Sequence, residues 1–378
     1  MLRYLTAGES HGPGLTGIIE GLPSGLRIDS TKIDQDLRRR QGGYGRGERM
    51  KIESDQAEFL SGLVDGQTIG APLALWIANR DWENWKDTKR EPKTVPRPGH
   101  ADLSGLLKYG LGDIQAVIER SSARETAMRV ALGSLAKHYL EQFKIDVAGH
   151  VIRIGKVLSE PSAAGELSLS EIRIQAASSP VYCIDRRASQ GMCRQIDRAR
   201  LHKDTVGGVF EVVAQGVPVG LGSYVHWDRR LDARLALTLT SIPSVKAAEI
   251  GSGVSNAADF GSKIHDQIYY SRNRGYYRLS NRAGGTEGGI SNGQRIVVRG
   301  YAKPISTLLN PLWSVEVKSK KKTKAPYVRS DICFVPALSV VGEAVVALVL
   351  ADLFSEKFGG DSMKETKLNY KSYLKTLR

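Results

Sequence analysis

Two histidines lie in glycine-containing turns of the sequence and are candidates for proton transfer. His11 belongs to the run GESHG at residues 8–12, and His100 belongs to the run RPGHAD at residues 97–102. An imidazole exchanges protons near neutral pH, and the glycines let the backbone approach a ligand closely. A histidine in a turn is more often an ordinary surface residue, but several arginine clusters accompany these two. Together they predict one site that binds anions and transfers protons.

Arginine and glycine alternate after a predicted helix over residues 28–40, for which Asp29 or Ser30 is the N-cap. That helix ends in three consecutive arginines, and residues 41–49 (QGGYGRGER) follow it. Guanidinium groups and backbone N–H groups in such a loop can surround a phosphate or a carboxylate. RNA-binding segments have a similar composition, but they interleave aromatic residues as stacking platforms, and here only Tyr44 is present. The pattern therefore favours a small anion over RNA.

A second positive group lies at residues 119–126 (ERSSARET). Ser122 and Glu125 have the spacing of a capping box, which predicts that a helix begins here. Free N–H groups at a helix N-terminus favour a phosphate, and Arg120 and Arg124 add charge beside it. The segment therefore predicts a site for the phosphate of a cofactor.

Glycine-rich and lysine-containing stretches of the last third of the chain predict further ligand contacts. Residues 281–293 (NRAGGTEGGISNG) contain enough glycine for the backbone to wrap a planar ligand, and residues 303–307 (KPIST) offer a cation with two hydroxyls. Residues 318–324 predict a solvated basic loop. The run RSD at residues 329–331 precedes an apolar helix, where its carboxylate is either part of a structural pair or a base.

The GxGxxG fingerprint of dinucleotide binding is matched by residues 12–17. That fingerprint needs a long helix directly after its glycines. Gly21, Pro23 and Gly25 break the chain too soon for such a helix. A strand through residues 18–19 is predicted instead, and the dinucleotide interpretation is rejected.

Composition and charge limit the class of protein. The chain has 378 residues, 41% of them hydrophobic, and a formal charge of +14, which suits nucleic acid, an acidic membrane surface or a small polyanion. Cys183, Cys193 and Cys333 are too few and too scattered for a disulfide framework or a zinc site. No apolar signal core is visible at the N-terminus, and the apolar run at 344–351 predicts a buried helix because it is too short for a membrane span. These observations predict a cytoplasmic protein without a metal site.

One domain is predicted over residues 1–378, with a peripheral helical region at 158–200 and a flexible tail at 360–378. The run GLPSGL at residues 21–26 is echoed by GVPVGL at residues 216–221. Each run follows β-branched residues and precedes a charged, helix-like stretch. Two related strand–turn–helix units therefore predict a pseudo-symmetric core.

The order of the motifs along nearly the whole chain resembles that of the chorismate synthase family. The motifs are GESHG at 8–12, RRRQGGYGRGERM at 38–50, RPGHAD at 97–102, RSSARET at 120–126, GGTEGG at 284–289, KPIST at 303–307 and RSD at 329–331. The resemblance implies a 1,4-elimination that converts 5-enolpyruvylshikimate 3-phosphate to chorismate and phosphate, in the shikimate pathway of aromatic amino acid biosynthesis. It also implies a requirement for reduced FMN with no net redox change. A substrate with one phosphate and two carboxylates fits the abundance of arginine.

The resemblance also implies roles for individual residues. His11 is similar to the acid at the leaving phosphate, and His100 to the partner of the flavin N1 region. Ser10 and Asp331 are similar to the pair that helps flavin N5 take up the substrate proton. The substrate clamp corresponds to Arg40, Arg46, Arg49, Arg124 and Arg329. The FMN contacts correspond to Arg120, Ser121, Ser122, Ser244, Gly288, Lys303, Pro304, Ile305, Ser306, Thr307 and again Arg329.

Two details of the cofactor sites depend on features that vary within the family. NADPH is implied only for a bifunctional enzyme that reduces its own flavin, and NADP would then bind at Arg40 and Arg46. Pro243 and Ser244 stand where the family often has Asn-Ala after a Ser-Ile pair. We therefore expect Ser244 to contact FMN through its backbone.

The fold that the resemblance implies is of the α+β class. It is a β-α-β sandwich of two antiparallel-rich sheets around central helices, with an internal pseudo-repeat, and it assembles as a homotetramer. Neither nucleic acid nor a membrane is expected as a partner. Two other classes of protein are alternatives to this interpretation: a basic RNA-binding protein, and a flavin-dependent oxidoreductase that consumes NADPH in step with turnover.

Overall fold

The structure is a computed structural model that describes residues 1–47, 54–84, 86–87, 91–159, 167–328 and 330–377. Within these residues the protein is mixed α and β, with two larger antiparallel sheets and four two-stranded ones. The larger sheets belong to two units that follow each other along the chain.

The first unit contains one of the larger sheets and ends in a long helix. Its elements are β1 (Arg3–Gly8), β2 (Gly14–Glu20), α1 (Ser30–Gln41), β3 (Glu58–Ser61), β4 (Leu63–Val64), β5 (Gln67–Thr68), β6 (Leu73–Ala78), α2 (Asp102–Lys108), α3 (Gln115–Ser121) and α4 (Thr126–Glu141), with 3-10 turns at Arg80–Asn84 and Ala123–Glu125. Asp29 caps α1, because its side chain accepts a hydrogen bond from the backbone N–H of Thr31 at 3.0 Å. The apolar residues of β6 alternate between core and outer face, as expected for a half-buried strand.

The second unit contains the other sheet and a second long helix. Its elements are β7 (Asp146–Ile154), β8 (Val157–Leu158), α5 (Leu169–Ser178), α6 (Arg186–Leu201), β9 (Gly208–Gln215), a 3-10 turn at Trp227–Arg229, α7 (Leu231–Thr240), β10 (Val245–Ile250), α8 (Gly253–Asn256), α9 (Gly261–Ile264), β11 (Ile268–Ser271), β12 (Gly275–Arg278), β13 (Thr286–Glu287), β14 (Ile290–Ser291), β15 (Ile296–Ala302), β16 (Trp313–Val315), β17 (Lys322–Lys324) and α10 (Val335–Phe358). A last helix, α11 (Met363–Thr376), follows it.

The two units have the same strand order. In the first sheet the order is β1-β2-β6-β3, and in the second it is β7-β9-β15-β10, with the short β8 added beside β7. In both units a helix follows the second strand, a small hairpin precedes the fourth strand of the sheet in sequence order, and a long helix comes afterwards. The echo between residues 21–26 and 216–221 therefore belongs to a repeat of the whole unit.

Hydrogen bonds at the echoed turns repeat almost atom for atom. The backbone N–H of Gly25 donates to the carbonyl of Thr68 at 2.8 Å, and that of Gly220 donates to the carbonyl of Ser291 at 2.9 Å. The Thr68 hydroxyl donates to the carbonyl of Pro23, and the Ser291 hydroxyl to the carbonyl of Pro218, both at 2.6 Å. The pseudo-symmetry predicted from the sequence thus has matched contacts in the structure.

Helices α4 and α10 form the centre of the main core. α4 packs on β2, α10 packs on β7 and β9, and the two helices pack on each other. Gly133 allows this close approach, because a Cβ at that position would lie 2.5 Å from the Cβ of Ala344. The rings of Tyr139 and Phe354 meet farther along, with centroids 5.7 Å apart, so the helices run in the same direction. Among the described residues α10 is the one helix long and apolar enough to cross a membrane, but its apolar stretch is entirely buried in the protein.

A buried group of charges joins α1, α4 and α10. Glu343 on α10 is fully buried and accepts hydrogen bonds from both terminal nitrogens of Arg39, at 3.0 and 2.9 Å, and from Lys137 at 2.7 Å. Its other oxygen also accepts from the backbone N–H of Gly149 at 3.0 Å. Burial opposes the charge, but Arg39 and Lys137 outweigh it and hold the pKa of Glu343 well below its usual range.

Loops from both units gather at one end of the molecule, which we call the loop end. In the described part of the chain it consists of residues 9–13, residues 42–47 and 54–57 after α1, and the described residues of the connections 79–125, 155–207 and 303–334. Gly14 lies opposite Ala78 in the first sheet, and Gly208 lies opposite Ala302 in the second, so equivalent strand ends meet there. The loop end contains His11, His100, Arg46, Arg120, Arg124 and the KPIST segment, and Arg40 lies at the end of α1 directly before it.

Two predicted peripheral segments, 360–378 and 158–200, have defined helices. The described residues of the predicted tail, 360–377, do not form a loose segment: α11 packs on the core, with the Tyr370 ring 5.1 Å from that of Phe358. The prediction was wrong because basic residues on the outer face of α11 masked its apolar stripe. Within 158–200, α5 packs on the outer face of the second sheet, and α6 packs beside β7 and β8 against Val151 and the start of α10. Residues 160–166 lie outside the described residues.

Candidate active site

His11 lies in the tight turn between β1 and β2 and is held by a carboxylate from α3. Its Nδ1 lies 3.0 and 3.2 Å from the two carboxylate oxygens of Glu119, and its backbone N–H donates to the same carboxylate at 2.7 Å. The Asn79 side chain donates to the carbonyls of Ser10 and Gly12, which closes the turn. Ser10 is itself buried in this group. The turn therefore presents the imidazole in one orientation.

Glu119 is ionised over the whole physiological range. Burial alone would raise its pKa, but hydrogen bonds from the His11 side chain and backbone, and from Gln115, outweigh burial and lower the pKa of Glu119 to about 2. A carboxylate at Nδ1 keeps a proton on that nitrogen and leaves Nε2 for a ligand, as in other carboxylate–histidine pairs. Sequence reasoning missed Glu119. Its signal was a carboxylate directly before Arg120, in a segment already singled out for its arginines.

His100 is held in a similar way at the start of α2. Its Nδ1 lies 2.5 Å from a carboxylate oxygen of Asp102. Arg97 donates to that carboxylate through Nε at 2.8 Å and places Nη2 3.1 Å from His100 Nδ1. Burial disfavours the charge of Asp102, but His100 and Arg97 outweigh it and hold the pKa of Asp102 well below its usual range. Asp102 was also missed, although it ends the RPGHAD motif.

The KPIST segment meets this histidine group from the second unit. Arg97 donates to the hydroxyl of Thr307 at 3.3 Å, and the Lys303 ammonium donates to the carbonyl of Gly99. The backbone N–H of Lys303 in turn donates to the carbonyl of Ser244 at 3.0 Å. Ser244 has a positive φ of 74°, so the backbone turns sharply there. The structure thus brings three predicted segments, at residues 97–102, 244 and 303–307, to one place.

Two further arginines converge at the N-terminus of α4. Arg40 donates to the hydroxyl of Thr126 at 3.0 Å and to the carbonyl of Ala123 at 2.9 Å. Arg124 donates to Asp55 at 2.6 Å, and Arg40 lies 3.8 Å from the same carboxylate. All three charged side chains are buried. Asp55, a third carboxylate that sequence reasoning missed, fixes both guanidinium groups.

Arg46 and Asp331 form a pair that links the two units. Arg46 Nη1 lies 3.0 Å from the Asp331 carboxylate, whose other oxygen accepts the backbone N–H of Gly47 at 2.6 Å. The guanidinium also lies 4.6 Å from the centre of the Phe334 ring. The loop 41–47 and the entrance of α10 therefore meet at the predicted site.

The helix predicted from residues 119–126 has a different start. Arg120 and Ser121 lie in the last turn of α3, and α4 begins at Thr126. Ser122 caps only the 3-10 turn between them, accepting the N–H of Arg124 at 3.3 Å, and Glu125 pairs with Arg129 instead of completing a capping box. The capping-box prediction was wrong because local spacing could not detect the break between two short helices.

Arg120 therefore does not make the contacts expected of a residue at a helix N-terminus. It donates to the carbonyl of Thr6 at 2.8 Å and lies 3.4 Å from that of Gly8, along the edge of β1. The Ser121 hydroxyl donates to the carbonyl of Val117. Both residues remain next to the turn that contains His11, but the helix dipole does not support a phosphate at either of them.

Three predicted residues are not placed with the others. Arg49 and Arg329 lie outside the described residues. Gly288 lies in the turn between β13 and β14, where the neighbouring carbonyl of Gly289 accepts the N–H of Leu231 at the start of α7. Ser244 lies beyond the far end of α7, about 15 Å of helix away. Within one chain, Gly288 therefore lies far from Lys303.

The described side chains bring two carboxylate-paired histidines and several arginines to the loop end, the residue types of an enzyme that binds anions and transfers protons. The N-termini of α4 and α10 both point to the loop end and add the positive ends of their dipoles. The model of the family described as chorismate synthase matches residues 2–354. The chain belongs to the chorismate synthase family, a family of phosphate-eliminating lyases.

Individual relatives and a solved structure are similar over the whole length. Chorismate synthase from Desulforudis audaxviator is 54% identical, with all of this chain and 98% of the relative covered, and that from Geotalea uraniireducens is 54% identical with both chains fully covered. A crystal structure of chorismate synthase superposes with a TM-score of 0.82 at 41% identity, covering all of this chain and 98% of the other. The similarity therefore extends beyond the motifs to the complete fold.

Proposed function

We propose that this chain performs the 1,4-elimination of phosphate from 5-enolpyruvylshikimate 3-phosphate to form chorismate, with the described residues in the following roles. The observation that supports this proposal most strongly is that two histidines, each paired with a carboxylate, and several buried arginines converge at the loop end. The reaction belongs to the shikimate pathway, and we propose that it takes place in the cytoplasm.

His11 acts as the acid at the departing phosphate. Glu119 holds Nδ1 at 3.0 Å, so Nε2 is the nitrogen that would face the leaving group. Transfer of a proton to the leaving group neutralises charge as it develops, which is how a general acid accelerates such a step. Ser10, buried in the same turn, positions its neighbour and assists proton uptake together with Asp331.

The arginines bind the anionic groups of the substrate. Arg40, Arg46 and Arg124 are preorganised by Asp55, Asp331 and backbone carbonyls, so little conformational entropy is lost when the substrate binds. Arg49 and Arg329 complete this clamp in our proposal, from outside the described residues. If the enzyme also reduces its own flavin, NADP would bind at Arg40 and Arg46.

The residues around Lys303 fit a flavin mononucleotide. The segment 303–307 offers an ammonium and two hydroxyls, Gly99 has no side chain to obstruct it, and Ser244 turns its backbone toward it. When bound, reduced FMN supplies the electron-rich ring on which the elimination depends, without net oxidation. His100 would hold the N1 region of the ring, because Asp102 and Arg97 fix its orientation. Arg120, Ser121 and Ser122 contribute through their position beside the His11 turn.

Assembly into a homotetramer and a β-α-β sandwich complete the proposal. The layers formed by the first sheet, α4, α10 and the second sheet support the sandwich. Two observations support assembly: the outer face of the first sheet is exposed, whereas α5 packs on that of the second, and Gly288 is remote from Lys303 within one chain. A neighbouring copy would cover the bare sheet and could supply Gly288.

The decisive experiment is anaerobic turnover of 5-enolpyruvylshikimate 3-phosphate with chemically reduced FMN, followed by chorismate absorbance. The assay is repeated with oxidised FMN and NADPH. Chorismate in the first assay alone indicates a monofunctional enzyme, and chorismate in both indicates one that reduces its own flavin. NADPH consumption in step with product would support the oxidoreductase, and folded protein without product would refute the proposal.

A further inference from the structure

Lys246 lies at an irregularity of β10, near the loop end of the second sheet. Val245 pairs with Ala302 and Ala247 with Tyr301, so Lys246 is the extra residue of a β-bulge. Bulges redirect side chains and are common beside active sites. Lys303 follows Ala302 directly. The two lysines therefore lie at the same end of two neighbouring strands, close enough for their charges to interact.

The charges of these two lysines are not balanced by carboxylates. In the part of the chain that the structure describes, neither ammonium has an acidic residue within 4 Å, and the Lys303 ammonium donates only to the carbonyl of Gly99. Burial lowers the pKa of Lys303, and the nearby charge of Lys246 lowers it further. Two cations that repel each other without a counter-ion are stabilised when an anion binds between them.

The chemistry of the anion follows from the donors around it. Two ammonium groups match the two negative charges of a phosphate monoester better than the single charge of a carboxylate. Ser306 and Thr307 add hydroxyl groups on the same segment, and the Gly99 backbone lies within reach, since a Cβ there would be 3.5 Å from the Lys303 ammonium. A phosphate contacted by several such donors gains charge-assisted hydrogen bonds from each.

We propose that Lys246 is a second phosphate-binding residue of this site and that, with Lys303, it binds the phosphate monoester of a bound ligand. The assignment deepens the proposed function and rests on it, because both FMN and 5-enolpyruvylshikimate 3-phosphate contain such a group. Lys246 belongs to none of the sequence motifs, and only its position on the bulge relates it to the site.

Calorimetric titration with pairs of ligands that differ by one phosphate tests this assignment. The pairs are oxidised FMN with riboflavin, and 5-enolpyruvylshikimate 3-phosphate with its dephosphorylated form. We expect Lys246→Gln to weaken binding of one phosphorylated ligand about tenfold, the effect of one lost charged hydrogen bond, without changing binding of its dephosphorylated partner. The ligand that loses affinity identifies which phosphate the residue holds.

Two further variants control for charge and folding. Lys246→Arg keeps the cation and should retain most of the affinity. Lys371→Gln removes the same charge from an exposed position on α11, remote from the loop end, and should leave both pairs unchanged. Thermal unfolding of each variant shows that it is folded.

Equal loss for a phosphorylated ligand and its dephosphorylated partner, or no loss for either pair, would overturn the assignment. So would a wild-type protein that binds neither phosphorylated ligand more tightly than its partner. Chorismate formation by the wild type is measured separately, so that failure of the proposed function is distinguished from failure at Lys246.

Discussion

A buried carboxylate at Nδ1 is the feature that the two candidate histidines share. Glu119 holds His11 and Asp102 holds His100, although the first carboxylate comes from 108 residues along the chain and the second from two. Each pairing fixes the orientation and the protonated nitrogen of an imidazole. Both histidines are therefore prepared for proton transfer before any ligand binds.

Loss of either imidazole should reduce catalysis and preserve folding. We expect His11→Ala and His100→Ala each to lower turnover of 5-enolpyruvylshikimate 3-phosphate by about 10²–10⁴-fold, the usual contribution of a general acid or base. Steady-state assays with reduced FMN measure the loss, and circular dichroism checks the fold. A variant with unchanged turnover would exclude its histidine from the mechanism.

Replacing the carboxylate should act through the histidine. Glu119→Gln removes the charge that holds Nδ1–H, so we expect turnover to fall about tenfold or more, with a shifted pH–rate profile. The matched control is Glu141→Gln, which removes an exposed carboxylate that pairs only with Lys32 at 2.7 Å. A pH profile identical to that of the wild type would show that Glu119 is merely structural.

The same carboxylate should make stability depend on acid pH. The pKa of Glu119 is about 2 in the folded chain against 4.5 for an unperturbed group, so the folded state is stabilised at any pH above the unfolded value. That contribution is lost as pH falls from about 4.5 toward 2. We expect the difference in unfolding free energy between wild type and Glu119→Gln, measured in urea, to be constant near neutral pH and to shrink in this window. A constant difference throughout would contradict the assigned pKa.

At the scale of elements, the buried ion group on α10 fixes where the arginine loop begins. Glu343 binds Arg39 in the last turn of α1, and Arg40 is the next residue. The ion pair therefore fixes the end of α1, where the loop 41–47 begins, against α10. Glu343, a buried charge on a largely apolar helix, thus connects the core to the candidate active site.

Removing that charge should be costly, because Arg39 and Lys137 lose the fully buried carboxylate that they share and keep, among the described residues, only Asp36 as an acidic partner. We expect Glu343→Gln to lower the free energy of unfolding by about 3–5 kcal/mol, measured by denaturant titration. Glu356→Gln on the same helix is the control, since Glu356 is surface-exposed and pairs with Arg229 at 2.9 Å. Similar effects of both variants would argue against a special role for the buried group.

At the scale of the whole molecule, the two units differ in what covers their sheets. The second sheet has α5 on its outer face, whereas Leu5 and Ile18 on the first sheet are 73% and 42% exposed. These two residues lie directly opposite each other on β1 and β2. An exposed apolar row in one of two equivalent units supports the proposed assembly of several copies of the chain.

Charges placed on this row should dissociate the assembly. We expect Leu5→Glu combined with Ile18→Glu to reduce the mass in solution, measured by light scattering, because two like charges without partners cannot be buried in a sheet-to-sheet contact. Leu201→Glu alters an equally exposed leucine at the end of α6 and should leave the mass unchanged. An unaltered mass for the double variant would place the contact elsewhere.

The sequence by itself determined the chemistry and the family of this protein. His11, His100, Arg40 and the KPIST run are recognisable because residue type and local spacing are properties of the chain alone. The echo of GLPSGL in GVPVGL likewise revealed the repeat, since each turn needs glycine and proline at the same positions. Strands around Ile18 and the buried helix α10 followed from apolar periodicity.

Only the tertiary structure decided which residues meet. It paired His11 with Glu119 and Arg46 with Asp331, placed Arg120 at the end of one helix rather than the start of the next, and separated Gly288 from Lys303. Local patterns contain no information about such contacts, because they depend on strand order and on how the two units pack around α4 and α10. The carboxylates that orient the site became visible only when distant segments were brought together.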